Sequence, residues 1–234
     1  MARKLAGQAA APIDAATLKL EVLPAAQRRL WDELGATPPE FVLYGGTAIA
    51  LRLGHRRSVD FDFFAFRSID PERIAGTVAY LSGAVLQQLG RDTATFLVMR
   101  RKPVSVSFFG LPKLKRVREP DRIRQPQVKL ASMLDLAGVK MAVVARSASP
   151  KDYLEIHAIL RQTDIRLQDA LAAATLIYGP QFNPYLTLKA LSYFGEPDLE
   201  ALPGTLKADL ERAVAGVDVS SLGEAVAAAK RRAR

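Results

Sequence analysis

The chain has 234 residues, with 33 Lys and Arg against 24 Asp and Glu, and no cysteine. That excludes a disulfide framework, cysteine-ligated zinc and a thiol nucleophile, while a 49% hydrophobic content excludes a disordered chain. No apolar run approaches the roughly 20 residues of a membrane span, so a cytoplasmic protein is expected, and its formal charge of +9 favours polyanionic partners such as nucleotides or RNA.

In chain order, Met1 to Pro12 reads as a loose alanine-rich leader without chemistry. A helical pattern follows over Pro24 to Leu34, with Ala25, Leu30, Trp31 and Leu34 able to share a packing stripe. Phe41 to Tyr44 has the length and side chains of a strand, ended by Gly45 and Gly46. Thr47 is expected to cap a helix running to Leu53, and the N–H groups of Gly45, Gly46 and Thr47 at its positive end would face an anion such as phosphate. A second strand, Val59 to Phe66, carries Asp60 and Asp62 at i, i+2, which puts both carboxylates on one face and Phe61 and Phe63 on the other. Two neighbouring carboxylates repel each other unless a cation lies between them, and hard oxygen ligands suit Mg²⁺ or Mn²⁺.

Gly-Gly-Thr, twelve residues and then Asp-Phe-Asp resembles the active-site signature of the polymerase-beta-like nucleotidyltransferase superfamily. The whole run is more closely similar to the AbiEii/AbiGii toxin family: Gly54, His55, Arg56, Ser58, Asp60, Phe61, Asp62, Phe63 and Phe64 fall on its pattern, and Arg52 and Arg57 occupy its variable places. The resemblance implies an α+β nucleotidyltransferase-like fold, a mixed β-sheet flanked by helices with a helical C-terminal half. It also implies metal-dependent transfer of a nucleotide from an NTP to an acceptor hydroxyl, on an RNA such as tRNA. The chain would then be the toxin of a toxin–antitoxin or abortive-infection system, with a cognate antitoxin as partner. Asp60 and Asp62 would hold the metal, with Gly45, Gly46, Thr47, Arg52, Arg56, Arg57 and Ser58 around the nucleotide.

Further along, Ser68, Asp70 and Pro71 signal a helix over Pro71 to Leu89, with Ile74, Val78, Leu81, Val85 and Leu89 as its buried face. A hairpin is expected from Thr93 to Arg100 and Val104 to Phe109, joined at Arg101, Lys102 and Pro103. Where the superfamily often supplies a third metal-binding carboxylate, this strand offers Ser105 and Ser107, and a hydroxyl is a poor substitute for a charged ligand. The basic stretch Leu111 to Gln127 is either a solvated connection or a rim that draws RNA toward the site.

From Ala131 the pattern is helical, with Leu134, Ala137, Met141 and Val144 on one stripe and Lys140 beside it. The segment from Ala131 to Leu160 resembles the family's second signature at Lys140, Arg146, Lys151, Asp152 and Tyr153, with Glu155 where an aspartate is more usual. The resemblance implies that Lys140 pairs with triphosphate oxygens, that Asp152 orients Lys140 or takes the acceptor's proton, and that Arg146 and Lys151 approach the nucleotide. The only histidines, His55 and His157, are too few for a histidine metal site or a Ser-His-Asp triad. Four further helices are expected at Arg166 to Tyr178, Pro184 to Phe194, Thr205 to Gly216 and Ser220 to Arg234, the last ending in a basic tail. The division that follows is 1–125, the α+β core, and 126–234, a helical part that contributes the cleft lysine. The competing reading is a catalytically weak RNA- or protein-binding module that keeps the fold.

Overall fold

Seven strands share one mixed sheet, in the order β3-β4-β5-β2-β1-β7-β6, in a computed structural model that describes residues 13–147 and 149–232. The leader Met1 to Pro12 and the last residues of the basic tail lie outside this range. The helix α1 (Ala25–Trp31) packs under the sheet through Leu30 and Trp31, and the Trp31 ring lies 6.4 Å from Phe61. Strand β1 (Val42–Tyr44) passes directly into α2 (Gly45–Leu53), and β2 (Asp60–Ala65) returns antiparallel to β1, with Tyr44 opposite Asp62. Alternation in β2 does what its sequence pattern requires: Phe61, Phe63 and Ala65 are fully buried, while Asp60, Asp62 and Phe64 line the opposite, half-open face.

The hairpin forms as expected, from β4 (Thr93–Arg100) and β5 (Lys102–Gly110) around Arg101 at φ 69°. Its second strand runs parallel to β2, which sets Ser105 beside Asp60 and Ser107 beside Asp62. At the far edge, β6 (Asp121–Arg122) pairs with β7 (Lys129–Leu130), and β7 pairs with β1, so the sheet continues past residue 126.

The helix expected over Pro71 to Leu89 is corrected by the structure. Its first part is α3 (Pro71–Thr77), capped by Asp70, whose carboxylate accepts from the Glu72 and Arg73 N–H groups. A short 3-10 turn at Ala79–Leu81 follows, and Gly83 at φ +72° then turns the chain into β3 (Val85–Gly90). Ile74, Val78 and Leu81 are buried as read, but Val85 and Leu89 are 59% and 54% exposed on an edge strand. Apolar residues spaced three and four apart fit the helix template, and a left-handed glycine overrides it.

The second half is helical: α4 (Met133–Val144), α5 (Pro150–Gln162), α6 (Leu167–Tyr178), α7 (Pro184–Leu191), α8 (Pro197–Glu200), α9 (Gly204–Ala215) and α10 (Leu222–Arg232). α4 and α6 approach closely at Gly138, where a Cβ would lie 2.8 Å from Ile177 Cδ1. Asp135, buried at the start of α4, accepts from Val117 N–H at 2.7 Å and Arg118 N–H at 2.9 Å and so ties the basic connection to the helices. Among the described residues, no helix is long and apolar enough to cross a membrane.

Candidate active site

The passage from β1 to α2 has no loop, and Gly45 makes that possible. It adopts φ +73°, and a Cβ there would stand 2.6 Å from Asp62 Oδ2, so glycine is needed both for the backbone angle and for the carboxylate above it. Gly46 serves a different contact: a Cβ would run into the Arg56 guanidinium and the Glu155 carboxylate. The helix starts at Gly45, two residues earlier than the sequence suggests, with Tyr44 at the cap position and no side-chain cap. Glu155 therefore presents its negative charge to the positive end of α2.

Thr47, inside the first turn, is 1% exposed. Its hydroxyl lies 2.5 Å from Ser58 Oγ, contacts the Asp60 carbonyl oxygen, and reaches Asp60 Oδ1 at 3.2 Å. Ser58 is fully buried beneath it. These two hydroxyls brace Asp60 from below, which corrects the expectation that Thr47 caps the helix and that the Ser58 side chain faces a nucleotide. From the other side of the sheet, Gln27 Nε2 donates to the Asp60 carbonyl at 3.1 Å.

Burial, with the charge of Asp60 added, pushes the Asp62 carboxyl up to about 7, while Lys140 and a Ser107 hydrogen bond work against the rise. Lys140 thus lies near enough for its charge to act on Asp62. Its ammonium is 2.6 Å from Asp152 Oδ1 and 2.5 Å from Glu155 Oε2. Burial alone would depress its pKa, but Glu155 and Asp152 outweigh that and hold it above the ordinary lysine value. Glu155 also accepts from Arg56 Nε at 3.0 Å and from Arg56 Nη2. Burial works to raise the Glu155 carboxyl, yet Lys140 and Arg56 hold it below its usual range. Two cations and two carboxylates thus form one buried network beside the Asp60–Asp62 pair, drawn from the loop before β2, from α4 and from α5.

A family model described as nucleotidyl transferase AbiEii toxin, Type IV TA system, matches residues 29–228. The chain belongs to the AbiEii nucleotidyltransferase toxin family. An uncharacterized protein of Aquifex aeolicus (strain VF5) is 30% identical over 125 residues, and the match spans 53% of this chain and 59% of that relative's length. MenT4, a nucleotidyltransferase toxin from Mycobacterium tuberculosis H37Rv, superposes with a TM-score of 0.62 over 92% of each chain at 16% identity, a likeness of fold.

Other residues that the AbiEii-like signatures point to are placed less centrally. Arg52 turns away from the Asp pair: its Nη2 donates to Asp121 Oδ2 at 2.5 Å and to the Ala131 carbonyl at 2.7 Å. It staples α2 to the β6–β7 edge, which corrects its assignment to the nucleotide. Arg57 is exposed, and its carbonyl accepts from Arg56 Nη1 at 2.7 Å. Arg146 lies exposed in the turn after α4, close enough to lower the Tyr178 pKa against the effect of burial. Lys151 is exposed and makes no ion pair among the described residues. Glu155, noted in sequence only as a departure from aspartate, is the residue that joins Lys140 to Arg56. Nothing in sequence singles out Gln27, since its contact with Asp60 spans 33 positions.

The residues that could hold a divalent cation are Asp60 and Asp62, with the Ser105 and Ser107 positions alongside. Among the described residues no group of three or more His, Cys, Asp or Glu has the arrangement of a metal site. The pair still suits a small hard cation that keeps part of its water shell and is completed by phosphate oxygens. A carboxyl held high by burial and by its neighbour's charge is the group that such a cation would relieve.

Proposed function

We propose that this AbiEii-family chain transfers a nucleotide from an NTP to a hydroxyl of an RNA, such as tRNA, with a divalent ion held by Asp60 and Asp62. The observation that carries the reading is the Asp60–Asp62 pair set against the Lys140, Asp152, Glu155 and Arg56 network at the uncapped start of α2. A bound Mg²⁺ or Mn²⁺ would offset the triphosphate charge.

The chain's own residues supply orientation and fixed charge. Gly45 and Gly46 make room at the α2 start for Asp62, Arg56 and Glu155, Thr47 and Ser58 hold Asp60 in place, and Asp152 aims the Lys140 ammonium. Lys140 and Arg56 would then exchange Glu155 for phosphate oxygens as triphosphate enters. The acceptor hydroxyl would pass its proton to Asp152 as its oxygen forms a bond to the α-phosphorus, the bond to pyrophosphate breaks, and the electron pair leaves with the pyrophosphate. The family description supports an antitoxin as the natural partner, and a cytoplasmic site of action fits a chain that acts on RNA.

Incubation with Mg²⁺, labelled NTPs and total RNA tests this: label should appear in RNA and vanish in Asp60→Asn and Asp62→Asn, both near-isosteric changes. RNA binding with no label transfer under any NTP would instead favour a binding module. Ser105 and Ser107 in place of a third acid are the observation on that side.

A further inference from the structure

A second feature flanks Asp60, on the α1 side of the sheet. A cleft of about 450 Å³ opens between α1 and the β4–β5 turn, walled by Gln27, Arg29, Val59, Arg101 and Lys102 among others. Arg29, Arg101 and Lys102 are exposed, and none makes an ion pair among the described residues. Arg100, which also lines it, is spent on a two-pronged contact with Glu33 at 2.5 Å for each bond.

Gln27 is the unusual member of the wall. It is 2% exposed, and its Nε2 must be the atom facing the Asp60 carbonyl, because only a donor satisfies that oxygen. The amide's Oε1 is then left buried and without a partner among the described residues. A buried acceptor of this kind costs stability unless a donor arrives. Val59, next to Asp60, is 60% exposed at the same opening.

We infer that this cleft receives the RNA acceptor strand on its way to Asp60 and Asp62. The inference rests on the nucleotidyl-transfer reading and names the surface which that reading leaves open. Ser105 is in register with Asp60, so the Arg101–Lys102 turn lies about 10 Å beyond the Asp pair at the same end of β2. Free cations take phosphates, and once the Gln27 amide turns toward the cleft a ribose 2′-hydroxyl supplies the donor that its buried Oε1 lacks. An acidic protein would meet the cations, but carboxylates offer that oxygen no proton. The basic connection at Lys113 to Arg118 lies at the other end of β2, where Arg116 sits 5.6 Å over the Phe66 ring.

The test measures binding of a fluorescent single-stranded RNA at several salt concentrations. It compares wild type, a variant carrying Arg29→Gln, Arg101→Gln and Lys102→Gln, and a control carrying Lys113→Gln, Lys115→Gln and Arg118→Gln. Three lost phosphate contacts should flatten the salt slope by about 2 and weaken binding about 100-fold at 0.1 M salt, with the difference closing toward 1 M. Binding of Mg²⁺–NTP should be unchanged in the first variant, which also shows that it folds. The control should bind RNA as wild type does. Equal affinity and slope for the first variant and wild type would overturn the inference while leaving nucleotidyl transfer standing, and so would loss confined to the control. Failure of the wild type itself to bind or label RNA would overturn both, as would transfer of label to protein only. RNA should also outcompete DNA of the same sequence, and equal competition would overturn the hydroxyl contact at Gln27.

Discussion

At the scale of single residues, the site is built on absences as much as on groups. Gly45 combines a left-handed backbone with a carboxylate 2.6 Å from where a Cβ would be. Gly45→Ala should therefore lose about 1–3 kcal/mol of stability from backbone strain alone, with metal-dependent NTP binding falling as well because Asp62 must move; urea denaturation and nucleotide titration read the two effects separately. His55 offers a pH test. Both its ring nitrogens are buried without partners among the described residues, and burial, aided by Arg56 and Lys140 against Glu155, pushes its pKa down to about 4 from the ordinary 6.5. The unfolded chain then binds a proton that the folded chain refuses, so this contribution is complete above 6.5 and is lost as pH falls toward 4. The loss should approach about 1.4 kcal/mol per pH unit in the middle of that window. His55→Phe should lose less stability than wild type between neutral and mildly acidic pH in urea titrations, and equal losses would rule this out. The glycines and the Asp pair were legible because their spacing is local, whereas the Arg52–Asp121 staple spans 69 positions and has no sequence signal.

Among the elements, strands and helices with a clean period were readable, and β3 was not. Its apolar residues repeat at helical spacing, but they belong to an exposed edge strand that pairs with β4 through an irregular register at Leu86 and Gln88. Replacing Val85 and Leu89 with Lys should change stability by no more than about 0.5 kcal/mol, whereas Ile74→Ala, on the buried face of α3, should cost about 2 kcal/mol or more. Thermal or urea unfolding of the two variants distinguishes a strand edge from a buried helix face. The clamp between α4 and α5 is a separate matter. Glu155 has its carboxyl lowered and Lys140 its ammonium raised, so the pair stabilises the fold above the ordinary glutamate value of 4.5 and below the ordinary lysine value of 10.5. Lys140→Met leaves Glu155 facing Arg56 alone and takes from Asp152 its ammonium partner, and should cost roughly 3–5 kcal/mol at neutral pH. The deficit should shrink on acidification, as Glu155 takes up a proton in the variant before it does in wild type. A deficit that stays constant with pH would mean that the pair contributes through packing and not through charge.

On the scale of the whole molecule, the sheet and the helical half are joined at several places. One strand of the sheet, β7, comes after residue 126, and the ammonium whose charge acts on Asp62 is carried on α4. Asp135 holds the connection between the two parts by backbone N–H groups, and a single apolar cluster runs from Leu18 to Leu222. The sequence shows a change of composition near residue 126 but cannot show that the elements on either side interlock, because the contacts that join them are long-range. The expected outcome is one cooperative transition. Trp31, the only tryptophan, is buried against Phe61 and reports on the sheet by fluorescence, while far-UV circular dichroism reports chiefly on the helices of the second half. Urea curves followed by the two signals should coincide in midpoint and slope. Adding Mg²⁺ and an NTP should move both midpoints upward together, since a ligand held between Asp62 and Lys140 stabilises both parts by mass action. Two separated transitions, or a nucleotide shift confined to the fluorescence curve, would mean that the parts fold independently and that Lys140 does not share the nucleotide with the Asp pair.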